Sequence, residues 1–330
     1  MPVLQSINNF FKQYTTLPDR VLLILTTLGL MIAGGLILLN QLVLHFTTAV
    51  IFATDAPKYT WYEAALIILF CLYCLFYGMY IQLTAPRSST FIWGLGWLFW
   101  CSAANLLLTN AIQCTPFPPI DATLVKLDYW MRINTTALMS WTHLHPQLHH
   151  IFLNSYNLMI VQLFGVPIAL AILNARRSLG VFFIAQSSTL LLGSLIYFFF
   201  PTIAPAGMLH SPYFITAQHD TSLRFYEVHH HLKVTASDGG LIAFPSFHVV
   251  WAILLTYACR GRKIIFYSMA VFNIILIAST VLLGWHYFMD VIGGVILAVT
   301  AILFSEKMYQ PQLKIFGINA CSRVPLSNLE

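Results

Sequence analysis

The sequence predicts an all-α protein, a polytopic membrane helix bundle with about eight transmembrane helices. Of its 330 residues, 58% are hydrophobic and only 8% are charged, and the mean hydropathy is +0.77. A chain of this composition cannot bury its apolar surface within one water-exposed globule. The apolar residues also form long stretches, each close to the roughly 20 residues that a membrane-spanning helix needs.

Eight apolar stretches are predicted to cross the membrane. In chain order they are Val21–Leu44, Tyr62–Leu83, Phe91–Leu108, Ile151–Leu173, Leu179–Phe200, Leu241–Cys259, Ile264–Leu283 and Trp285–Ser305. The last two are nearly continuous, but one helix covering both would be about 60 Å long, twice the hydrocarbon thickness. We therefore predict a turn near Gly284. No soluble domain or repeat interrupts the pattern, so residues 1–330 are predicted to form one integral membrane domain.

Basic residues predict the orientation of the bundle. The short loops 174–177 and 260–263 carry clusters of Arg and Lys, and such clusters in short loops stay in the cytoplasm. We therefore place both termini in the cytoplasm, in the inner or plasma membrane if the source is bacterial. All twelve histidines then fall on the external side. We attribute most of the net charge of +5 to the basic residues that set this orientation, and we therefore predict no nucleic-acid partner. The first stretch is too long for a cleaved signal peptide.

Two long external loops separate the predicted spans. The first, residues 109–150, contains an amphipathic stretch from Ile120 to Met131 that predicts a helix lying in the membrane interface. The second loop begins at Pro201. It is the first part of residues 201–305, which also contain two histidine motifs. We expect this last third of the chain to be its catalytic part.

The first histidine motif lies where a predicted span begins. Ser246 is a good N-cap, which leaves the backbone N–H groups near Phe247 and His248 without partners inside the helix. A helix N-terminus of this kind binds phosphate, and His248 adds a titratable proton. The alternative is a capped helix with an incidental histidine. The motif reads Phe244-Pro245-Ser246-Phe247-His248.

The second histidine motif follows one span later. His286 and Asp290 are four residues apart, so on a helix they share a face and can form a hydrogen bond. A charged side chain inside a membrane costs about 2.5–3.5 kcal/mol at its centre, so Asp290 is expected to have a partner. The carboxylate would orient the imidazole and stabilise its cation, as in a catalytic triad. A purely structural pair is the alternative.

Together the two motifs resemble the type 2 phosphatidic acid phosphatase superfamily of membrane lipid phosphatases and phosphotransferases. The resemblance runs from Pro201 to about Ser305. It implies a six-helix core and a reaction in which His286 attacks phosphorus, Asp290 orients His286, and His248 protonates the leaving oxygen. That reaction needs no metal, and we expect no cofactor. The matching residues are Pro245-Ser246-Phe247-His248 and His286-Tyr287-Phe288-Met289-Asp290-Val291-Ile292-Gly293.

Departures from the family pattern bear on the substrate. The phosphatase branch has an upstream Lys-x6-Arg-Pro element, whereas residues 201–208 contain no basic residue, and Thr280 replaces the Arg six residues before the second-motif histidine. Loss of these cations favours a less charged phosphodiester. The pattern is thus similar to the inositol phosphorylceramide synthase and sphingomyelin synthase branch. Ser246 and Phe247 are predicted to bind the phosphate. Arg224 and Lys233 could restore positive charge, which keeps phosphate hydrolysis as the alternative.

Other functions remain open at this stage. A lipid transporter or scramblase would also use intramembrane His and Asp, but ionisable residues here are concentrated at one face and absent from most span centres. A catalytically inactive lipid-binding relative is a further alternative. The clusters at 143–150 and 229–231 lack Cys or carboxylate partners, so we predict no metal site there. The expected ligands are a membrane phospholipid or sphingolipid and the bilayer, and the sequence leaves protein partners open.

Overall fold

The computed structural model describes residues 14–40, 61–236 and 242–315, and in these ranges the chain forms helices and no β-strand. Short 3-10 turns at Ile81–Leu83 and Ile112–Cys114 extend two of the helices. The α-helices, in chain order, are α1 (Leu17–Asn40), α2 (Trp61–Tyr80), α3 (Pro86–Ala111), α4 (Asp121–Trp130), α5 (Thr135–His143), α6 (Pro146–Asn157), α7 (Met159–Ile172), α8 (Arg176–Phe199), α9 (Pro205–Met208), α10 (Thr216–His229), α11 (Phe247–Ala258), α12 (Lys263–Leu282) and α13 (Phe288–Ile315).

The described helices confirm a polytopic all-α bundle. Five of them, α1, α3, α8, α12 and α13, are long and apolar enough to cross a membrane. Helices α6 and α7 give a sixth span if the pair, bent by 48°, counts as one. Each of the eight predicted stretches overlaps a helix in part or in full, and residues 41–44 of the first and Leu241 of the sixth lie outside the described ranges.

Helix α11 is shorter than predicted. It begins at Phe247 and has 12 residues, which gives a length of about 18 Å. The prediction of a full span from Leu241 was wrong because Pro245 and Ser246 precede the helix, with Ser246 as its N-cap. The late start is what brings the first histidine motif to a helix end.

Helix α8 lies at the centre of the bundle and is the most buried of the spanning helices. It packs against α1, α3, α11 and α13, and the main hydrophobic core is built around it. At one end of the bundle, Glu306 of α13 forms ion pairs with Arg177 (3.0 Å) and Arg260 (2.7 Å). The two basic clusters predicted to share the cytoplasmic side therefore do lie at the same end of the molecule.

The predicted turn at Gly284 is confirmed. Helix α12 ends at Leu282, and Gly284 has a φ of +76°, a left-handed conformation that favours glycine. The backbone N–H groups of Trp285 and His286 both donate to the carbonyl oxygen of Thr280 at 3.0 Å. The turn therefore fixes the segment that carries His286 before α13 begins.

The amphipathic stretch in the first loop forms helix α4. Its buried residues are Asp121, Leu124 and Asp128, whereas Tyr129 and Trp130 are 79% and 82% exposed. This exposed aromatic face agrees with the predicted amphipathic character. Its location in the membrane interface stays a prediction.

Candidate active site

The two histidine motifs meet at the N-terminal ends of α11 and α13. The backbone N–H of Ser246 donates to the carbonyl oxygen of Asp290 at 3.1 Å. A Cβ atom on Gly294 would lie only 2.7 Å from the carbonyl oxygen of Ser246, so glycine is needed for this close approach. The His248 and His286 rings are 5.7 Å apart between centroids. Packing of the two helices thus brings both histidines to one place.

The hydrogen bonds of His286 define its tautomer. Nδ1 lies 3.0 Å from the carbonyl oxygen of Ala243 and 3.2 Å from Asp290 Oδ2. Because a backbone carbonyl can only accept, Nδ1 carries the hydrogen. The other ring nitrogen, Nε2, therefore keeps its lone pair. That is the state of a histidine that can act as a nucleophile.

Asp290 is held in place as firmly as its partner. The carboxylate is fully buried, and Oδ2 also accepts from the backbone N–H of Tyr287 at 2.9 Å. The predicted hydrogen bond between residues 286 and 290 is therefore present. Since His286 lies just before α13 and Asp290 lies in its first turn, the pair spans a helix start.

Two aromatic rings support His248. Its ring stacks on Tyr156 of α6 with centroids 4.4 Å apart and an interplanar angle of 19°. Tyr156 also stacks on Trp285, with centroids 5.2 Å apart and an interplanar angle of 10°. No local sequence pattern indicated that Tyr156 contacts His248.

A cavity of about 140 Å³ connects these groups. Both histidines line it, and Asn105, Thr109 and Thr221 contribute polar groups from α3 and α10. Aromatic and apolar side chains form the rest of the wall. Among the residues that the structure describes, this wall includes no Lys or Arg. The cavity can hold a bound group between His248 and His286, in surroundings with little positive charge.

Comparison with known proteins gives the family. A sequence model of the PAP2 superfamily matches residues 122–304, more than half of the chain, and this region includes both histidine motifs. The chain belongs to the PAP2 superfamily. This membership places it with the lipid phosphatases and phosphotransferases and confirms the resemblance recognised from the two motifs.

One relative of this PAP2-superfamily chain is the inositol phosphorylceramide synthase catalytic subunit aur1 of Schizosaccharomyces pombe. The two are 36% identical over 76 residues, which cover 22% of this chain and 17% of the relative. The similarity thus concerns a small part of that protein. No solved structure matches the chain.

The four predicted phosphate-binding residues do not lie together: Ser246 and Phe247 are at the start of α11, whereas Arg224 and Lys233 lie elsewhere. Ser246 Oγ accepts from Val249 N at 3.5 Å, which confirms the N-cap, and Phe247 lines the cavity. Lys233 is exposed and lies outside the cavity wall. The phosphate-binding role of each stays a prediction.

Arg224 is buried next to the cavity but does not line it. Its Nε donates to Gln113 Oε1 at 3.2 Å, and a terminal nitrogen donates to Asn110 Oδ1 at 2.6 Å. Burial lowers the pKa of its guanidinium. Thr221, one helical turn earlier, does reach the cavity. Arg224 is therefore held by neutral amides one turn away from the site.

Two carboxylates of α4 contact the second motif, and sequence reasoning missed their role. Asp121 Oδ1 accepts from the Tyr287 hydroxyl at 3.0 Å, and Asp128 accepts from the first backbone N–H groups of α13. Burial raises the pKa of Asp121 to about 6, and it raises that of Asp128. The available signal was a pair of acidic residues seven apart on an amphipathic helix, which places them on one face.

The histidine clusters at 143–150 and 229–231 form no metal-ligand set in the described part of the chain. His143 instead stacks on Tyr213 with centroids 4.2 Å apart, and His145 packs against Trp141 in a tilted arrangement with centroids 4.7 Å apart. These rings thus pack against aromatic neighbours.

Proposed function

We propose that the protein is a lipid phosphotransferase, similar to inositol phosphorylceramide synthase, which moves a phosphorylated head group from one lipid to another through a phosphohistidine on His286. The observation that carries this proposal is the environment of His286. Nδ1–H is directed at two acceptors, Ala243 O and Asp290 Oδ2, while the side chain lines a cavity shared with His248.

The first step would break the donor lipid. Nε2 of His286 attacks the phosphorus of a phosphodiester, a P–N bond forms, and the P–O bond to the lipid alcohol breaks. His248 gives its proton to the leaving oxygen, and Asp290 stabilises the cationic ring on phosphorus. The products are a free lipid alcohol and a phosphohistidine that carries the head group.

The second step would transfer the head group. The hydroxyl of an acceptor lipid attacks the same phosphorus and gives its proton to His248, which is now neutral. The P–N bond breaks, and the electron pair returns to Nε2 of His286. Both histidines end in their starting states, so the cycle balances without another reactant.

The wall of the cavity supports a phosphodiester substrate. A phosphomonoester dianion buried against these residues would need cations, because an uncompensated buried charge is costly. The described cavity wall has no Lys or Arg, and Arg224 is engaged by Gln113 and Asn110. A phosphodiester carries one negative charge, which suits this environment better. The name of the S. pombe relative fits the same reaction class.

The active site is proposed to face the external side of the membrane, with both termini in the cytoplasm. The ion pairs of Glu306 with Arg177 and Arg260 support this, since the basic clusters lie together at one end of the bundle. Labelling by a membrane-impermeant thiol reagent in intact cells checks it. Tyr129→Cys, at an exposed position, should react with the reagent, and Arg262→Cys should not. The reverse result would contradict the proposed topology.

The reaction itself is tested with purified protein in vesicles that contain ³²P-labelled phosphatidylinositol, with and without ceramide. We expect a new labelled lipid that depends on the acceptor. His286→Ala and His248→Ala should each lower its formation by at least about 100-fold, and the control His145→Ala, at a histidine remote from the cavity wall, should retain it. Undiminished transfer in both variants would refute the mechanism. Water-soluble inorganic phosphate released from labelled phosphatidic acid, without a new lipid, would establish hydrolysis instead.

A further inference from the structure

We infer that helix α4 is a positioning element of the active site, in which Asp121 and Asp128 hold the segment that carries His286 and Asp290. The inference rests on the proposed function for its catalytic consequence. It stands on the hydrogen bonds of two buried carboxylates that come from a distant part of the chain. Neither is expected to touch the reacting atoms.

Asp128 caps helix α13 from outside. Its Oδ2 accepts from the backbone N–H of Phe288 at 2.8 Å, and its Oδ1 accepts from that of Met289 at 3.0 Å. The first N–H groups of a helix have no partner within it, and a carboxylate there also interacts favourably with the helix dipole. Asp290 lies one residue further along. Asp128 therefore fixes the turn that presents the catalytic carboxylate.

Asp121 forms a hydrogen bond with Tyr287, one of the three residues between His286 and Asp290. Its Oδ1 accepts from the hydroxyl of Tyr287, which directly follows His286 and is fully buried. Its Oδ2 accepts from the backbone N–H of Ile203 at 2.9 Å. One carboxylate thus joins the catalytic segment to the loop that follows α8.

These hydrogen bonds form much of the attachment of α4 to the rest of the protein. The buried face of the helix consists of the two carboxylates and Leu124, which is its one buried apolar side chain. Burying a carboxylate is unfavourable unless hydrogen bonds compensate it, and here every oxygen has a donor. A polar attachment of this kind fixes direction better than an apolar face would, because hydrogen bonds are directional.

The catalytic consequence follows from geometry. A misplacement of about 1 Å at a reacting group can lower a rate by about 100-fold. Loss of the Asp128 cap frees the first turn of α13, so His286 and Asp290 would no longer hold one position. The effect should appear in kcat, since the cavity wall that binds the lipid is formed mainly by other helices.

The test compares Asp128→Ala, Asp128→Asn, Asp121→Ala and Tyr287→Phe in the transfer assay. Asp128→Ala should lower kcat by about 10- to 100-fold with KM within about twofold, and Asp128→Asn, which keeps one acceptor oxygen, should lose less. Asp121→Ala and Tyr287→Phe should be less than additive when combined, because each removes the hydrogen bond between Asp121 and Tyr287. The exposed residue Lys126 on the same helix gives the control Lys126→Ala, which should behave as wild type.

Hydrogen–deuterium exchange of residues 284–290 gives a second measurement that does not depend on activity. Exchange should be faster in Asp128→Ala and partly restored in Asp128→Asn, and unchanged in Lys126→Ala. Unchanged exchange and kcat in a folded Asp128→Ala protein would overturn the inference, as would an effect confined to KM. If wild-type protein transfers no head group at all, the proposed function fails, while the exchange result still decides whether α4 positions this segment.

Discussion

Replacing Asp290 by Asn tests the centre of the proposed mechanism. The substitution keeps the size of the side chain but removes the negative charge next to His286. The two groups are 3.2 Å apart and Asp290 is fully buried. With an effective dielectric constant of about 20, the attraction between a carboxylate and an imidazolium at this distance is about 5 kcal/mol. If that attraction is lost only in the charged transition state, kcat should fall by roughly 10³- to 10⁴-fold.

The assay is head-group transfer in vesicles at saturating donor and acceptor, with kcat and KM separated. Melting temperature and exchange of residues 284–290 show whether Asp290→Asn keeps its fold. A protein that remains folded, with KM within about threefold, is the informative case. A loss of kcat below tenfold in that protein would refute the idea that Asp290 stabilises a charged His286. A loss of the same size in Lys126→Ala would show that the assay reports general damage.

Three further predictions follow from the structure. Burial raises the pKa of the Asp121 carboxyl from 3.8 to about 6. The contribution of its protonated form to the free energy of unfolding is therefore complete below about pH 4 and is lost as the pH rises through 6. Thermal unfolding should show that the wild type loses up to about 3 kcal/mol of stability relative to Asp121→Asn across that range. Gly284→Ala should cost at least about 2 kcal/mol by the same assay, because φ is +76° and the new Cβ would lie 2.2 Å from Met139 Sδ. Tyr156→Ala should lower kcat about tenfold through loss of two ring stacks, while Tyr156→Phe should stay within about twofold.

Each of these has a matched control or a contradicting result. A stability difference between wild type and Asp121→Asn that does not change between pH 4 and 7 would contradict the raised pKa. Gly165→Ala is the control for Gly284→Ala, since nothing lies within 4 Å of the new Cβ there and the change should be neutral or slightly stabilising. Equal kcat in Tyr156→Ala and Tyr156→Phe would mean that ring stacking does not position His248.

Local sequence was enough to predict the contact between His286 and Asp290 and the capping role of Ser246. His286 and Asp290 could be paired because residues four apart lie close together in a helix or at its start, and their contact is present at 3.2 Å. Ser246 could be recognised as an N-cap because capping depends on the residue itself and its immediate neighbours. Gly284 could be recognised as a turn because two spans cannot be one helix. All these rules act over a few residues.

Contacts between distant residues could not be predicted in this way. Asp121 meets Tyr287 across 166 positions, and Asp128 meets Phe288 across 160. An acidic residue on an amphipathic helix usually faces water, so its burial depends on where the helix docks. The same applies to Arg224, which was expected near phosphate and is instead engaged by two neutral amides.

The sequence by itself determined that this chain lies in a membrane, is helical, and carries a histidine and aspartate pair with a second histidine one span away. Composition, stretch length and short spacings are properties of the covalent chain, and they need no fold to be measured. Only the tertiary structure decided that Tyr156 stacks on His248, and that two carboxylates of α4 contact the segment that follows His286. Those features depend on how the helices pack. Packing is a property of the whole bundle, because buried side chains from distant parts of the chain must fit against one another and form their hydrogen bonds at the same time.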